Sequence, residues 1–142
     1  MKTVRDILEL KGREVWRVER DTTVFEALRL MAQKEVGALV VMDGEKIAGI
    51  ISERDYARKV VLLGRTSPNT LVAEIMTRQV AYTHLNQSVE ECMAIMTDKR
   101  IRHLPVLEDG TLIGIISIGD LVKSIISDQK FMIEQLERYI SS

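Results

Sequence analysis

One cysteine, Cys92, stands among 142 residues. No disulfide can form within the chain, and a thiolate metal site would have to draw its other ligands from other residue types. Its place on an apolar helix face assigns it to packing. The two histidines, His84 and His103, lie in different local contexts with no ligand spacing between them, so no structural metal is expected. A surplus of charge of one sign is also missing. Twenty Lys and Arg stand against 21 Asp and Glu, for a formal net charge of −1, which disfavours binding to a phosphate backbone and hence a nucleic-acid partner. No apolar run approaches membrane-spanning length, and Met1 to Leu10, with Arg5, Asp6 and Glu9, lacks the apolar stretch of a signal peptide. A cytoplasmic location with no membrane contact is expected. Neither a G-x-G-x-x-G nor a Walker-type loop occurs, and no nucleophile with a base and no separated carboxylate pair is found at informative spacing. A non-catalytic protein that requires no cofactor follows as the expectation.

What the chain does have is a repeat. Thr23 to Val60 aligns without a gap on Ser88 to Ile125 at a constant offset of 65 residues, with identities that include Val24/Val89, Glu26/Glu91, Met31/Met96, Leu39/Leu104, Gly49/Gly114, Ser52/Ser117 and Asp55/Asp120. Self-similarity of this kind decides the architecture before any single motif does. Each copy opens on an amphipathic helix, with Val24, Ala27, Leu28 and Met31 in one and Val89, Cys92, Met93 and Met96 in the other. Thr23-x-x-Glu26 and Ser88-x-x-Glu91 read as capping boxes at their starts.

Two short apolar runs follow in each copy, Ala38 to Met42 and Ile47 to Ile51 around Asp43-Gly44, then Leu104 to Leu107 and Leu112 to Ile116 around Asp109-Gly110. They predict buried strands joined by hairpin turns. Earlier strands are expected at Val15 to Val18 and Val80 to Thr83, and second helices near Ser52 and Ser117. The order per repeat is β-α-β-β-α, an α/β (α+β) class in which two repeats pack with pseudo-twofold symmetry. The expected boundaries are 1–66 for the first repeat, 67–126 for the second and 127–142 for a helical extension. Leu121, Val122, Ile125, Ile126, Met132, Ile133, Leu136 and Ile140 form an apolar stripe that Ser127-Asp128 could interrupt, and its lack of a downstream cover favours an interface with a second subunit, at least a homodimer.

Both repeats place Gly-Ile-Ile-Ser at a strand end with an aspartate three residues after the serine, giving Ser52-Glu53-Arg54-Asp55 and Ser117-Ile118-Gly119-Asp120. Two readings stay open on these features. The aspartate closes a capping box, or it accepts ribose hydroxyls while the serine and the free N–H groups of the helix start face phosphate.

The segment Ile101 to Val106, with its Leu-Pro-Val, the glycine-led strand and the Ser-x-x-Asp together resemble the cystathionine beta-synthase (CBS) domain, and two in tandem resemble a Bateman module. The likeness spans nearly the whole chain. It implies a regulatory module whose clefts bind an adenine nucleotide, namely AMP, ADP, ATP or NAD. Carried over, the ligand of Ser117 and Asp120, with Ile116 at the end of that strand, would take adenine contacts from Trp16, Arg17 and Val18 and from Val36, Gly37 and Ala38. The ligand of Ser52 and Asp55 would use Thr77, Val80, Ala81, Tyr82, Ile101 and Arg102. Arg102 and His103, which with Pro105 form the loop and strand start, and Arg54 are expected to face phosphates by charge-assisted contacts. Gly37-Ala38-Leu39-Val40 replaces Arg102-His103-Leu104-Pro105 in the first repeat, so the two sites are expected to differ. A ligand-free oligomerisation or interaction scaffold is the competing reading, and the regulated partner protein is not named by the sequence.

Overall fold

The structure is a computed structural model that describes residues 2–141. The chain divides into two compact units, Val15–Ala81 on one side and the described residues of Met1–Glu14 and Tyr82–Ser142 on the other. The first unit holds β1 (Arg17–Glu19), α2 (Val24–Lys34), β2 (Ala38–Asp43), β3 (Lys46–Ser52), α3 (Glu53–Tyr56) and α4 (Val72–Ile75). The second holds α1 (Val4–Lys11), α5 (Val89–Lys99), β4 (His103–Glu108), β5 (Thr111–Ser117) and α6 (Ile118–Ser141).

The repeat written in the sequence returns in the register of the two hairpins. Ala38 faces Ser52 and Val41 faces Gly49 in the first, and His103 faces Ser117 and Val106 faces Gly114 in the second. Both ladders shift at the same step, between Val41 and Met42 and between Val106 and Leu107. The helices before them also end alike, on the left-handed residues Glu35 and Arg100 with φ of 55° and 54°. Each hairpin buries one run of branched side chains. Leu39, Val41 and Ile51 pack with Val24, Ala27, Met31, Val72 and Ile75 in the first unit, and Leu104, Val106, Ile116, Cys92, Met96 and Leu121 are buried in the second. Cys92 is a packed thiol whose Sγ lies 3.4 Å from the Thr83 hydroxyl, and burial raises its pKa.

Two sequence expectations need correction, and two helices take a form that the sequence left open. The capping box at Thr23 is only half made. The Thr23 hydroxyl accepts from the Glu26 N–H, while the Glu26 carboxylate turns to Arg29 at 2.9 Å. The strand expected at Val80 to Thr83 reduces to one parallel bridge, Thr83 to Val106, whereas β1 pairs over three residues with β2. In β2 the N–H of Val40 donates to the Trp16 carbonyl, and the matching position of β4 is Pro105, which has no N–H to extend the ladder. The second helix of the first repeat is short, because after Tyr56 the chain widens into a π-helical turn, Ala57–Val61. Finally, α6 runs unbroken through Ser127-Asp128 for 24 residues.

One element was not foreseen. α1 packs Val4, Ile7 and Leu8 into the second unit, with Thr3 bridged to Ser88 and the Val4 N–H bonded to the Gln87 carbonyl. The segment Leu71 to Met76 does the same for the first unit, with Leu71 bridged to Thr23 and Val72, Ile75 and Met76 buried. The pattern Val4-x-Asp6-Ile7-Leu8 matches Val72-x-Glu74-Ile75-Met76.

Candidate functional site

In each unit the site is assembled at the end of the glycine-led strand. A Cβ on Gly49 would lie 2.5 Å from the Thr77 carbonyl oxygen, and one on Gly114 would lie 2.9 Å from a Leu8 methyl. The missing side chain therefore lets the segment packed on that strand approach closely. That segment then supplies a polar partner to the aspartate that follows.

In the first unit Thr77 exchanges two backbone bonds with Ile50, its N–H donating to the Ile50 carbonyl at 2.8 Å, and its hydroxyl donates to Asp55 Oδ1 at 3.4 Å. The other oxygen of Asp55 accepts from the Ser52 N–H and hydroxyl, and the Asp55 N–H donates back to Ser52 Oγ. The Lys59 ammonium lies 3.1 Å from Oδ1 and also donates to the Ile75 carbonyl. Asp55 is buried. Gly37 is tied to the same helix start, because its carbonyl accepts from the Glu53 N–H. Ala38, the register partner of Ser52, is buried, and Val36 and Gly37 are half-buried. Arg54 is half-buried in α3 and Arg17 is exposed on β1 between the half-buried Trp16 and Val18. The Lys34 ammonium covers the Trp16 ring, 4.3 Å from its centre, and shields that face. Val80 and Ala81 end this unit half-buried and outside any strand.

In the second unit one ammonium does what Thr77 does with two groups. Lys11, in the last turn of α1, donates to the Ile115 carbonyl at 2.8 Å and to Asp120 Oδ2 at 2.7 Å. Ile115 is the repeat equivalent of Ile50, and Asp120 of Asp55. Asp120 Oδ2 also accepts from the Ser117 N–H at 2.8 Å, and the Asp120 N–H donates to Ser117 Oγ. Partial burial works to raise the Asp120 carboxyl. The Lys11 ammonium and the Ser117 donors outweigh it and hold the group below the usual aspartate value. Ile116 is buried, the exposed Arg102 accepts the Ile118 N–H through its carbonyl, and Ile101 is half-buried beside it. Tyr82 is exposed, and partial burial of its side chain raises its pKa.

His103 is pushed down to about 4, by burial first and then by Lys11, against an opposing pull from Asp120. It is therefore neutral at pH 7 and has one N–H to donate, so a charge-assisted contact from the Arg102-His103 pair falls to Arg102. A pH dependence follows. Unfolded His103 titrates near 6.5, above its folded value, so the stability it contributes is complete above pH 6.5 and is lost as the pH falls toward 4. Urea titrations between pH 4 and pH 7 are expected to show this slope, and His103→Gln is expected to flatten it. An equal slope in the variant would place the titration on another group.

Both aspartates thus close capping boxes and both hold a lysine, which sequence reading did not find. Lys59 has a legible signal, four residues after Asp55 on the same helix. Lys11 has none, since it meets Asp120 across 109 residues. Among the described residues no group of three or more His, Cys, Asp or Glu is placed to hold a metal ion, and no helix is long and apolar enough to cross a membrane.

The model of the family described as CBS domain matches residues 4–62 and again 72–127. The chain belongs to the CBS domain family. It is 38% identical over 97% of its length to the mitochondrial CBS domain-containing protein CBSX3 of Arabidopsis thaliana, of which it spans 71%. Among solved structures, a CBS-domain protein of Burkholderia ambifaria superposes with a TM-score of 0.87 at 56% identity, covering 90% of this chain and 96% of that one. The CBS domain pair of protein MJ0100, solved in complex with 5′-methylthioadenosine and S-adenosyl-L-methionine, has the same fold, with a TM-score of 0.80 at 24% identity over 90% of this chain and 98% of that one. CBS pairs are a family of regulatory modules, and the two matches here place one CBS domain on each repeat.

Proposed function

We propose that this CBS pair is a non-catalytic cytoplasmic module that senses an adenine nucleotide, AMP, ADP, ATP or NAD, through its two Ser-x-x-Asp elements. The observation that carries the reading is the recurrence of one arrangement in both units, a carboxylate fixed by its own helix start at the end of a glycine-led strand. A fixed carboxylate with acceptor capacity suits the vicinal hydroxyls of a ribose, which donate a pair of hydrogen bonds. The MJ0100 pair supports the choice of ligand class, since both molecules in its complex carry an adenosyl group. Asp120 with Ser117 in one unit, and Asp55 with Ser52, Arg54 and Thr77 in the other, are the proposed ribose and phosphate partners, and Arg102, which the resemblance assigned to the Asp55 ligand, is reassigned to the Asp120 ligand because it shares that unit and its carbonyl accepts the Ile118 N–H at the same helix start. Thermal unfolding with and without each nucleotide tests this. At least one is expected to raise Tm at concentrations well above micromolar and to be recovered chemically intact. No rise with any of the four would favour the scaffold reading, and a consumed ligand would make the protein an enzyme.

The module is further proposed to self-associate through α6. Val122, Ile126, Phe131, Met132, Ile133, Leu136 and Ile140 are all at least two-fifths exposed, a row of apolar groups too long to be left in water by a stable monomer. Light scattering is expected to give at least a dimer, and Ile126→Asp with Ile133→Asp is expected to shift it to the monomer mass. A monomeric parent would contradict the interface.

A further inference from the structure

The Asp120 element receives a charge from α1, which lies outside the aligned segments Thr23 to Val60 and Ser88 to Ile125. α1 is held against β5 by Leu8, which is buried and sits in the space that Gly114 leaves open. Lys11, one turn further along this docked helix, is therefore delivered to a fixed place. Its ammonium bridges Asp120 Oδ2 and the Ile115 carbonyl. The equivalent segment of the first unit ends its helix at Ile75 and meets Ile50 and Asp55 with the neutral Thr77. The two aspartates thus differ in the charge brought by the packed segment. Lys11 also borders a cavity of about 290 Å³ between α1 and α6, lined by Asp120, Lys123 and Ser124 among others. The Ser124 Oγ in its wall is buried and has no hydrogen-bond partner among the described residues.

We propose that Lys11 is the specificity-determining residue of the Asp120 site, paired with the ribose-accepting carboxylate at rest and leaving it for the phosphate of a bound nucleotide. The proposal rests on the nucleotide reading above and adds to it a rule of selection. A neutral nucleoside meets a carboxylate already paired with an ammonium, and gives that ammonium no anion if it is drawn away. A nucleotide engages the same carboxylate with its ribose, through the oxygen that the Ser117 N–H does not hold, and offers its phosphate to the ammonium at a cavity that Lys123 also lines. The exchange replaces one charge-assisted bond by another, so the phosphorylated ligand is favoured at equal ribose contact.

The test is titration of the full chain with adenosine and with AMP, followed by NMR at the His103 imidazole, which belongs to the same unit and reports this site in place of the Asp55 one. In Lys11→Met, which keeps the apolar stem of the side chain, adenosine is expected to bind more tightly and AMP more weakly, so that the preference for AMP falls by about fivefold or more. Lys11→Arg is expected to retain most of the preference, and Lys11→Gln to lose it as the Met variant does. A ratio of affinities unchanged in Lys11→Met and Lys11→Gln, with both ligands still bound, overturns the role of Lys11 and leaves the nucleotide reading standing. If the parent protein binds neither probe, the selection rule falls, and if it also binds none of ADP, ATP and NAD the nucleotide reading falls with it.

Discussion

Gly49→Ala is expected to lower stability by about 1–3 kcal/mol, a loss of roughly 3–10 °C in Tm for a chain of this size. The added methyl would stand 2.5 Å from the Thr77 carbonyl oxygen and 3.0 Å from the Met76 sulfur. The oxygen is the harder obstacle. It is a backbone atom that accepts from the Ile50 N–H at 3.0 Å, so relief requires parting two segments that are hydrogen-bonded to each other. Because Thr77 also reaches Asp55, the same substitution is expected to loosen the first Ser-x-x-Asp element. Gly114→Ala is the informative comparison. Its methyl meets only the end of the Leu8 side chain, at 2.9 Å, which can turn aside. Thermal unfolding of both variants is expected to rank Gly49→Ala as clearly the more damaging. Equal losses would show that the Met76–Thr77 segment yields as easily as a leucine side chain.

Asp120→Asn is expected to weaken AMP and adenosine alike, by about tenfold or more, since a hydrogen bond to a charged partner is worth roughly 1.5–3 kcal/mol. The amide keeps one acceptor oxygen, enough for the Ser117 N–H, so the capping function survives and the ligand-free fold is expected to lose about 1 kcal/mol or less. The Lys11 pair, with the lysine side chain about one-third exposed, adds little to that cost. Arg102→Ala separates base and ribose from phosphate, because it is expected to weaken AMP and spare adenosine. If Asp120→Asn binds AMP as the parent does, the carboxylate is a helix cap and no more. Equal losses for adenosine and AMP in Arg102→Ala would remove that guanidinium from the phosphates.

The hairpins, the amphipathic helices and the serine caps were legible because each is written locally, in alternating branched residues, a turn dipeptide or a three-residue spacing. The expected strand at Val80 to Thr83 failed for a reason outside that segment. Its partner strand carries Pro105, and a missing donor there is not visible in the alternation of the segment itself. The π-helical turn after Tyr56 likewise has no separate pattern, since apolar spacing continues through it. α1 did leave a trace, in Val4-x-Asp6-Ile7-Leu8 against Val72-x-Glu74-Ile75-Met76, but at an offset of 68 residues, three away from the main repeat. Of the site, Asp55 and Asp120 could be read from their recurrence. The charges laid against them could be read only in part, because Lys59 shares a helix with its aspartate and Lys11 is brought to its own by packing at Gly114.

The most direct measurement is calorimetric titration of the full chain with AMP, ADP, ATP and NAD in turn, in parallel with Asp120→Asn and Asp55→Asn. Ribose recognition by these carboxylates requires saturable heat from the parent protein with at least one of the four, that ligand unchanged on recovery, and a weakened isotherm in at least the Asp120 variant. Heat that never saturates with any of the four, or three superimposable isotherms, would show that the two Ser-x-x-Asp elements serve only to start helices.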